Sequence, residues 1–207
     1  TANSGTAYLW SNGATTQAIT VSGPIGATNY TVQVTQAGGC VSSSPVTTVT
    51  VNPVPTATIS ASGPTTFCEP NNVVLTASAG SSWLWSNGAT TQAITVSSPA
   101  ASGNYTVTVT NASGCSATSS ATNVTVNPRP VVTLSASPYT SLFPGLSTTL
   151  TASVSPAGTY TYNWFKNTVV VPGAASSSLN VGLSDIGSYA VQVTNAGGCS
   201  NTSNVVV

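Results

Sequence analysis

Apolar and polar residues alternate along most of this chain. Thr31–Thr35 (TVQVT) and Thr106–Thr110 (TVTVT) are apolar at every second position, as expected for strands that bury one face. Gly and Pro recur every few residues, and no 3.6-residue periodicity lasts for three turns. The pattern predicts an all-β fold of short strands joined by tight turns.

The pattern is repeated. The segment LWSNGATTQAITVS occupies Leu9–Ser22 and recurs without change at Leu84–Ser97. Four pairs of landmark residues are 75 positions apart: Trp10 and Trp85, Tyr30 and Tyr105, Cys40 and Cys115, Pro53 and Pro128. A period of this length is typical of a small domain rather than of a solenoid rung. A third, divergent copy surrounds Trp164.

The repeat divides the chain into three predicted units. Unit 1 (1–53) lacks counterparts of the first strands of the repeat, so we expect the chain to be a fragment of a longer array. Unit 2 (54–128) is complete, and unit 3 (129–207) is divergent. The linkers Val51–Thr56 (VNPVPT) and Val126–Val131 (VNPRPV) contain alternate prolines, which favour an extended, stiff connection.

Unit 2 shows the strand pattern most clearly. Trp83 and Trp85 are two residues apart, so they share a face that we expect to be buried, and Asn87-Gly88 predicts a turn. About seven short strands in a unit of this size predict a two-layer sandwich. The predicted strands are Thr56–Ser60, Thr65–Cys68, Val73–Ser78, Ser82–Ser86, Gln92–Val96, Tyr105–Thr110 and Ala117–Val126.

Charge is almost absent, which argues against most kinds of chemistry. The chain has two basic residues (Arg129, Lys166), two acidic residues (Glu69, Asp185) and no His. Without a base beside the many Ser and Thr hydroxyls, no catalytic or cofactor-binding residue is predicted. Phosphate recognition needs clustered Lys and Arg, so nucleic-acid binding is not expected. No run of about 20 apolar residues predicts a membrane span.

Metal binding is not predicted either. Zinc sites need closely spaced Cys or His, whereas the four cysteines of this chain are far apart. Two isolated carboxylates fall short of the six to eight oxygens that calcium prefers, so we expect Glu69 and Asp185 to cap turns. The cysteines are therefore expected to form disulfides, as in an exported protein.

Unit 3 carries the residues that resemble a known family. Asp185–Tyr189 (DIGSY) resembles the D-x-G-x-Y signature of immunoglobulin-like domains, and Tyr162–Asn167 (YNWFKN) resembles their central Trp strand. The resemblance implies tandem immunoglobulin-like β-sandwiches. With the repeat, it also implies a tryptophan and a corner tyrosine in the core of each unit: Trp10, Trp85 and Trp164, and Tyr30, Tyr105 and Tyr189.

This chain departs from the family in its cysteines. The positions of the usual inter-sheet disulfide hold Ala77 and Val107 in unit 2, and Ala152 and Val191 in unit 3. The core of each unit must therefore be held by packing alone. The cysteines that are present lie elsewhere in the repeat.

Two disulfide pairings remain open. Within unit 2, Cys68 could bond Cys115, which would leave Cys199 unpaired because Phe143 occupies the position of Cys68 in unit 3. The immunoglobulin-like topology instead implies that Cys68 and Cys115 lie at opposite ends of the sandwich, beyond the roughly 7 Å between Cα atoms that a disulfide allows. In a head-to-tail array, Cys68 would then meet Cys199. We favour this crossed pairing, in which Cys40 and Cys115 await partners outside the chain.

Longer phrases resemble a second, broader group. SGPTTFCEP, NYTVTVTNASGCSATS and VTVNP are similar to immunoglobulin-like and PKD-like repeats of large secreted Bacteroidota surface proteins, which leave the cell by type IX secretion. The resemblance implies a secreted or outer-surface location. It also implies a role as a structural spacer, stalk or filament-forming array of an adhesin-like protein.

The partners implied are neighbouring repeats of the same protein, further copies of it in fibres, and surface polysaccharide. The alternative function is a carbohydrate-binding or accessory region of a secreted polysaccharide-degrading enzyme. That alternative requires a row of exposed aromatic side chains on one face.

Overall fold

The structure is a computed structural model that describes residues 1–205. The described residues form β-strands and two short 3-10 helices, Pro99–Ala101 and Leu183–Asp185, so the all-β prediction is confirmed. The strands of unit 1 are β1 (Ala7–Trp10), β2 (Gly26–Tyr30), β3 (Val32–Thr35), β4 (Val41–Ser43) and β5 (Thr47–Val51). Those of unit 2 are β6 (Ile59–Ala61), β7 (Thr66–Cys68), β8 (Val73–Ala77), β9 (Ser82–Trp85), β10 (Ala93–Val96), β11 (Gly103–Tyr105), β12 (Val107–Thr110), β13 (Ser116–Thr118) and β14 (Thr122–Asn127). Those of unit 3 are β15 (Val131–Ser137), β16 (Ser147–Ser155), β17 (Tyr160–Lys166), β18 (Val169–Val170), β19 (Ser178–Gly182), β20 (Tyr189–Asn195) and β21 (Ser200–Thr202).

Unit 2 is a sandwich whose first layer is the sheet β10-β8-β6. The facing layer consists of two sheets, β13-β12-β9 and β11-β14-β7, in which β7 runs parallel to β14. Alternate residues of the strands point between the layers, where Val73, Leu75, Val107 and Val109 are fully buried. Trp85 completes this core and is only 2% exposed.

A bulge interrupts two of the predicted strands of unit 2. Tyr105–Thr110 and Ala117–Val126 were each expected to be continuous, but the structure splits them into β11 and β12, and into β13 and β14. The hydroxyl of the buried Ser119 takes the place of a backbone partner, because it accepts the Val107 N–H at 3.1 Å. Nine shorter strands therefore replace the seven predicted ones.

The same serine hydrogen bond occurs in all three units. Ser44 accepts the Val32 N–H at 3.1 Å in unit 1, and Ser203 accepts the Val191 N–H at 3.0 Å in unit 3. A serine hydroxyl can donate and accept at once, which suits a point where the ladder changes register. The repeat therefore preserves this hydrogen bond as well as the core positions.

Unit 3 is a second two-layer sandwich. Its layers are the sheets β15-β16-β19 and β18-β17-β20-β21. Trp164 lies at the centre with no exposed surface, and Val191 and Val193 from β20 are also fully buried. Lys166 and Asp185 form a surface ion pair with 3.5 Å between Nζ and Oδ1.

Unit 1 is half of a sandwich. It contains β1-β3-β4 and β2-β5, which repeat the pairings of β9-β12-β13 and β11-β14 at the same 75-residue offset. Among the described residues, nothing stands in the places of β6, β7 and β8. In unit 1 only Val32 and Val34 are buried.

The missing layer changes the fold of an identical sequence. Ala93–Val96 forms β10 by pairing with β8, whereas the same four letters at Ala18–Val21 form no strand. Trp10 and Tyr30, expected in the core, are only half-buried because the facing layer that covers Trp85 and Tyr105 is absent from unit 1.

Candidate functional site at the junctions between units

The second junction, where unit 2 meets unit 3, contains a disulfide. Cys68 is the last residue of β7, and the parallel pairing with β14 sets it opposite Asn127, next to the linker. Cys199 lies in the turn of the β20–β21 hairpin of unit 3, directly before β21. The structure joins Cys68 to Cys199, with Cα atoms 5.6 Å apart and a sequence separation of 131. This bond crosses the unit boundary, and its Cys199 end is buried.

Asn195 connects the same hairpin to the linker. Its side-chain oxygen accepts the Cys199 N–H at 2.9 Å, which closes the turn. Its side-chain nitrogen donates to the Pro128 carbonyl at 2.8 Å. One amide therefore orders the turn that carries Cys199 and binds the end of unit 2.

Further hydrogen bonds hold the rest of the linker. The Arg129 guanidinium donates to the Ser200 carbonyl at 2.8 Å. The Asn201 amide donates to the carbonyl of Pro130 at 2.9 Å, and Pro130 itself is buried. Proline already restricts the backbone dihedral φ, so these contacts act on a linker with few free torsions. The second junction is thus fixed by one covalent bond and by hydrogen bonds along its length.

Close packing accompanies these bonds at Gly197. A Cβ added at Gly197 would lie 2.8 Å from Cγ of Asn127, so only glycine lets the hairpin lie against the linker without a shift of that amide. The repeat-related Gly38 in unit 1 has open space in the same direction.

The first junction, between units 1 and 2, repeats part of this arrangement. Asn111 donates to the Pro53 carbonyl at 2.8 Å and accepts the Cys115 N–H at 3.0 Å, as Asn195 does at the second junction. Cys115 Sγ lies 4.0 Å from the Asn52 carbonyl oxygen, and Cys199 Sγ lies 3.8 Å from that of Asn127. Cys115 nevertheless remains a free thiol, half-buried at this site.

The first junction also lacks two of the linker contacts. The position of Arg129 is occupied by Val54, which is exposed, and the position of Asn201 by Ala117. Cys40, the third member of the cysteine series, is free and exposed on the hairpin of unit 1. The two junctions therefore share the contacts of Asn111 and Asn195 but differ in the other linker contacts and in covalent linkage.

The predicted core tyrosines and tryptophans of units 2 and 3 donate hydrogen bonds to backbone carbonyls. The Tyr105 hydroxyl donates to the Ala101 carbonyl at 2.5 Å, and the Tyr189 hydroxyl to the Asp185 carbonyl at 2.6 Å. Burial raises the pKa of Tyr189 above its ordinary value, against the opposing attraction of the Lys166 ammonium. The indole N–H groups of Trp85 and Trp164 donate to the carbonyls of Thr91 and Ser176, both at 2.8 Å.

Other kinds of site find little support in residues 1–205. No three His, Cys, Asp or Glu side chains there lie close enough together to hold a metal ion. No helix in that range has the length and apolar character needed to cross a bilayer. Trp83 is half-buried against the core, with its N–H donated to the Ser78 carbonyl at 3.0 Å, so it offers no open aromatic platform.

Sequence reasoning overlooked Asn111, Asn195 and Arg129 as junction residues. The signal was the shared pattern Asn-Ala-x-Gly-Cys, which occurs at 111–115 and at 195–199, whereas unit 1 has Gln36 at that position. The pattern predicts a turn. It does not predict the second hydrogen bond of each Asn side chain, which goes to a linker carbonyl that is distant in sequence.

Comparison with known proteins agrees with this architecture. The chain matches no protein-family profile and no curated protein sequence. Among solved structures, it is similar to the I67–I69 fragment of the titin I-band, at 19% identity over 86% of this chain and 72% of that chain, with a TM-score of 0.51. A three-domain titin structure of the same region carrying an E-to-A change gives the same values. The likeness shows the fold, and the predicted class of tandem immunoglobulin-like β-sandwiches is confirmed.

Proposed function

We propose that this chain is a non-catalytic structural spacer of a secreted surface protein, in which successive immunoglobulin-like units are held in a fixed relative orientation. The observation that carries this proposal is the second junction, where the Cys68–Cys199 disulfide and the Asn195, Arg129 and Asn201 contacts act on one short linker. A linker held at so many points transmits orientation and length rather than permitting free rotation.

The composition supports the same role. Four charged side chains in 207 residues leave surfaces of Ser, Thr, Asn and Gly, with little to steer a charged ligand. A disulfide persists in oxidising surroundings, which supports an extracellular location. The resemblance to repeats of secreted Bacteroidota surface proteins suggests a stalk, an adhesin-like array or a filament as the larger assembly.

Small-angle X-ray scattering of the oxidised chain tests the proposal. We expect an elongated particle whose scattering curve is described by one conformation and does not change between low and high salt. The double variant Cys68→Ser, Cys199→Ser should broaden the distance distribution, because the hydrogen bonds alone then hold the junction. The matched control Cys40→Ser, Cys115→Ser should leave the curve unchanged. A broad ensemble for the oxidised parent chain would overturn the proposal.

A further inference from the structure

The Cys68–Cys199 disulfide closes a loop that contains the cores of both sandwiches. The buried residues of the unit 2 core lie between positions 73 and 126, and those of the unit 3 core lie between positions 132 and 193. Both ranges fall between the two bonded cysteines in sequence. One covalent bond therefore encloses the buried part of the two cores.

Three strands in the described part of units 2 and 3 lie outside this loop: β6, β7 and β21. Each is an edge strand of its sheet, in the orders β10-β8-β6, β11-β14-β7 and β18-β17-β20-β21. None of their residues is buried. These strands are attached to the sandwiches from the outside, and the cores are built mainly from the enclosed strands.

The outer strands and the disulfide form a second covalent route through the two units. We call the segments 54–68 and 199–205, with the bond between them, the bypass path. A β-strand rises about 3.2–3.4 Å per residue, close to the limit of about 3.3–3.6 Å for a fully extended chain. The bypass path therefore has little slack along β6, β7 and β21, whereas the backbone route between the same points is folded into both sandwiches.

The bypass path crosses the second junction beside the backbone linker. Because β7 runs parallel to β14, both strands arrive at this junction together, and Cys68 is paired with Asn127. Sγ of Cys199 lies 3.8 Å from the carbonyl oxygen of Asn127. The disulfide is thus positioned to take up a pull that would otherwise pass through the linker into β14 and β15.

We propose that the Cys68–Cys199 disulfide is a tension bypass. A pull between unit 1 and the far end of unit 3 runs along the bypass path, and the loop that holds both cores stays slack. The inference deepens the proposed spacer role and rests on it, because a spacer that keeps two attached bodies apart is pulled between its ends. Stretching then detaches edge strands at most, and it does not lengthen the chain by unfolding either core.

The bond also sets an upper limit to the extension of the chain. The sequence separation of 131 between the two cysteines corresponds to about 430–470 Å of fully extended backbone. A pull cannot draw out this length while the bond is intact, and it can do so when the bond is absent.

Single-molecule stretching of the intact oxidised chain, held by peptide tags at its two ends, tests the bypass. We expect the parent chain to stop extending about 430–470 Å before the variant Cys68→Ser, Cys199→Ser does. The variant should show unfolding steps for the two sandwiches, and the parent chain should show neither step. If the variant does not fold, the comparison of maximum lengths still decides, because an unfolded variant has the same fully extended length.

The matched control Cys40→Ser, Cys115→Ser retains the bond and should stop extending where the parent chain stops. Equal maximum lengths for the parent chain and for Cys68→Ser, Cys199→Ser would contradict the bypass. So would a shortening of only about one third of the expected length that disappears in the control, because a bond between Cys68 and Cys115 closes a loop of about that relative size.

The two proposals can fail separately. Scattering reports the relative orientation of units 2 and 3 at rest, whereas stretching reports the covalent route under tension. A broad scattering ensemble with the short maximum length would reject the fixed orientation and retain the bypass. A single scattering conformation with the full maximum length would do the reverse.

Discussion

Asn195 and Pro128 lie 67 residues apart in sequence and are joined by a 2.8 Å hydrogen bond from the side-chain amide to the carbonyl. Because the oxygen of the same amide accepts the Cys199 N–H, the hairpin of unit 3 and the end of unit 2 share one side chain. The stability of unit 3 is thereby coupled to its contact with unit 2.

Substitutions of Asn195 should separate these two contributions. Asn195→Asp keeps an oxygen for the Cys199 N–H but loses the donor to Pro128, so we expect a loss of about 1 kcal/mol, typical of one hydrogen bond. Asn195→Ala loses both bonds and should cost about 2 kcal/mol. Urea unfolding, monitored by the hydrogen exchange of unit 3, measures both losses of stability. No loss for Asn195→Asp would show that the linker contact contributes nothing, whereas equal losses for the two variants would show that the Cys199 contact contributes nothing.

Removal of the inter-unit disulfide should uncouple units 2 and 3. The loop between Cys68 and Cys199 spans 131 residues, for which the chain-entropy model gives about 5 kcal/mol of stabilisation. We expect the double variant Cys68→Ser, Cys199→Ser to lose about 3–5 kcal/mol and to show separate calorimetric transitions for the two units. The control Cys40→Ser, Cys115→Ser should behave as the parent chain does.

Trp10 and Trp85 form a matched pair for testing the core. They occupy the same position of an identical segment, but Trp85 is 2% exposed and Trp10 is half-buried. Trp85→Ala should cost about 3–5 kcal/mol, as expected for a large aromatic residue of a packed core. Trp10→Ala should cost clearly less stability, because Trp10 makes little of the packing that Trp85 makes in unit 2. Similar losses for both variants would contradict the half-sandwich structure of unit 1.

Ser119 should be needed for the bulge of unit 2. Its buried hydroxyl accepts the Val107 N–H and donates to the Ser120 carbonyl. Ser119→Ala leaves a buried donor without its partner, so we expect a loss of about 1–3 kcal/mol in the stability of unit 2. Ser120→Ala, at an exposed position, is the control and should be nearly neutral. Thermal unfolding of the two variants gives the comparison.

Unit 3 should lose stability at alkaline pH. Burial raises the pKa of folded Tyr189 above the ordinary value of 10.0, so the folded state holds the proton more tightly than the unfolded state does. The contribution is fully present below about pH 10 and falls as the pH rises through the folded pKa. In Tyr189→Phe this part of the alkaline loss should disappear. Urea unfolding of parent and variant at pH 8 and pH 11, which spans about that range, measures the difference.

Much of the fold follows from short-range pattern. Alternation predicts the strands, and the Asn87-Gly88 turn forms with φ of 86° at Gly88, a dihedral that glycine adopts without strain. The burial of Trp85 and Trp164 follows from the family resemblance. These features depend on residues close together in sequence, or on positions that the family shares.

The remaining features depend on which segments meet in space. Trp10 and Trp85 occupy the same position of an identical segment, and Tyr30 and Tyr105 share the local sequence Asn-Tyr-Thr-Val, so the presence or absence of a facing layer decides their burial. The bulge of unit 2 depends on a serine that meets a strand 12 residues away. The junction contacts of Asn111 and Asn195 join residues 58 and 67 positions apart, so turn chemistry alone does not predict them.

The identical segments also pose a problem of partner choice during folding. β8 pairs with Ala93–Val96, but Ala18–Val21 has the same side chains and the same potential ladder. Loop-closure entropy favours the nearer segment by only about 1 kcal/mol. Correct pairing must therefore be decided by the contacts that follow, above all by the insertion of Trp85 between the layers. Tandem arrays with such faithful repeats are therefore prone to strand exchange between neighbouring units.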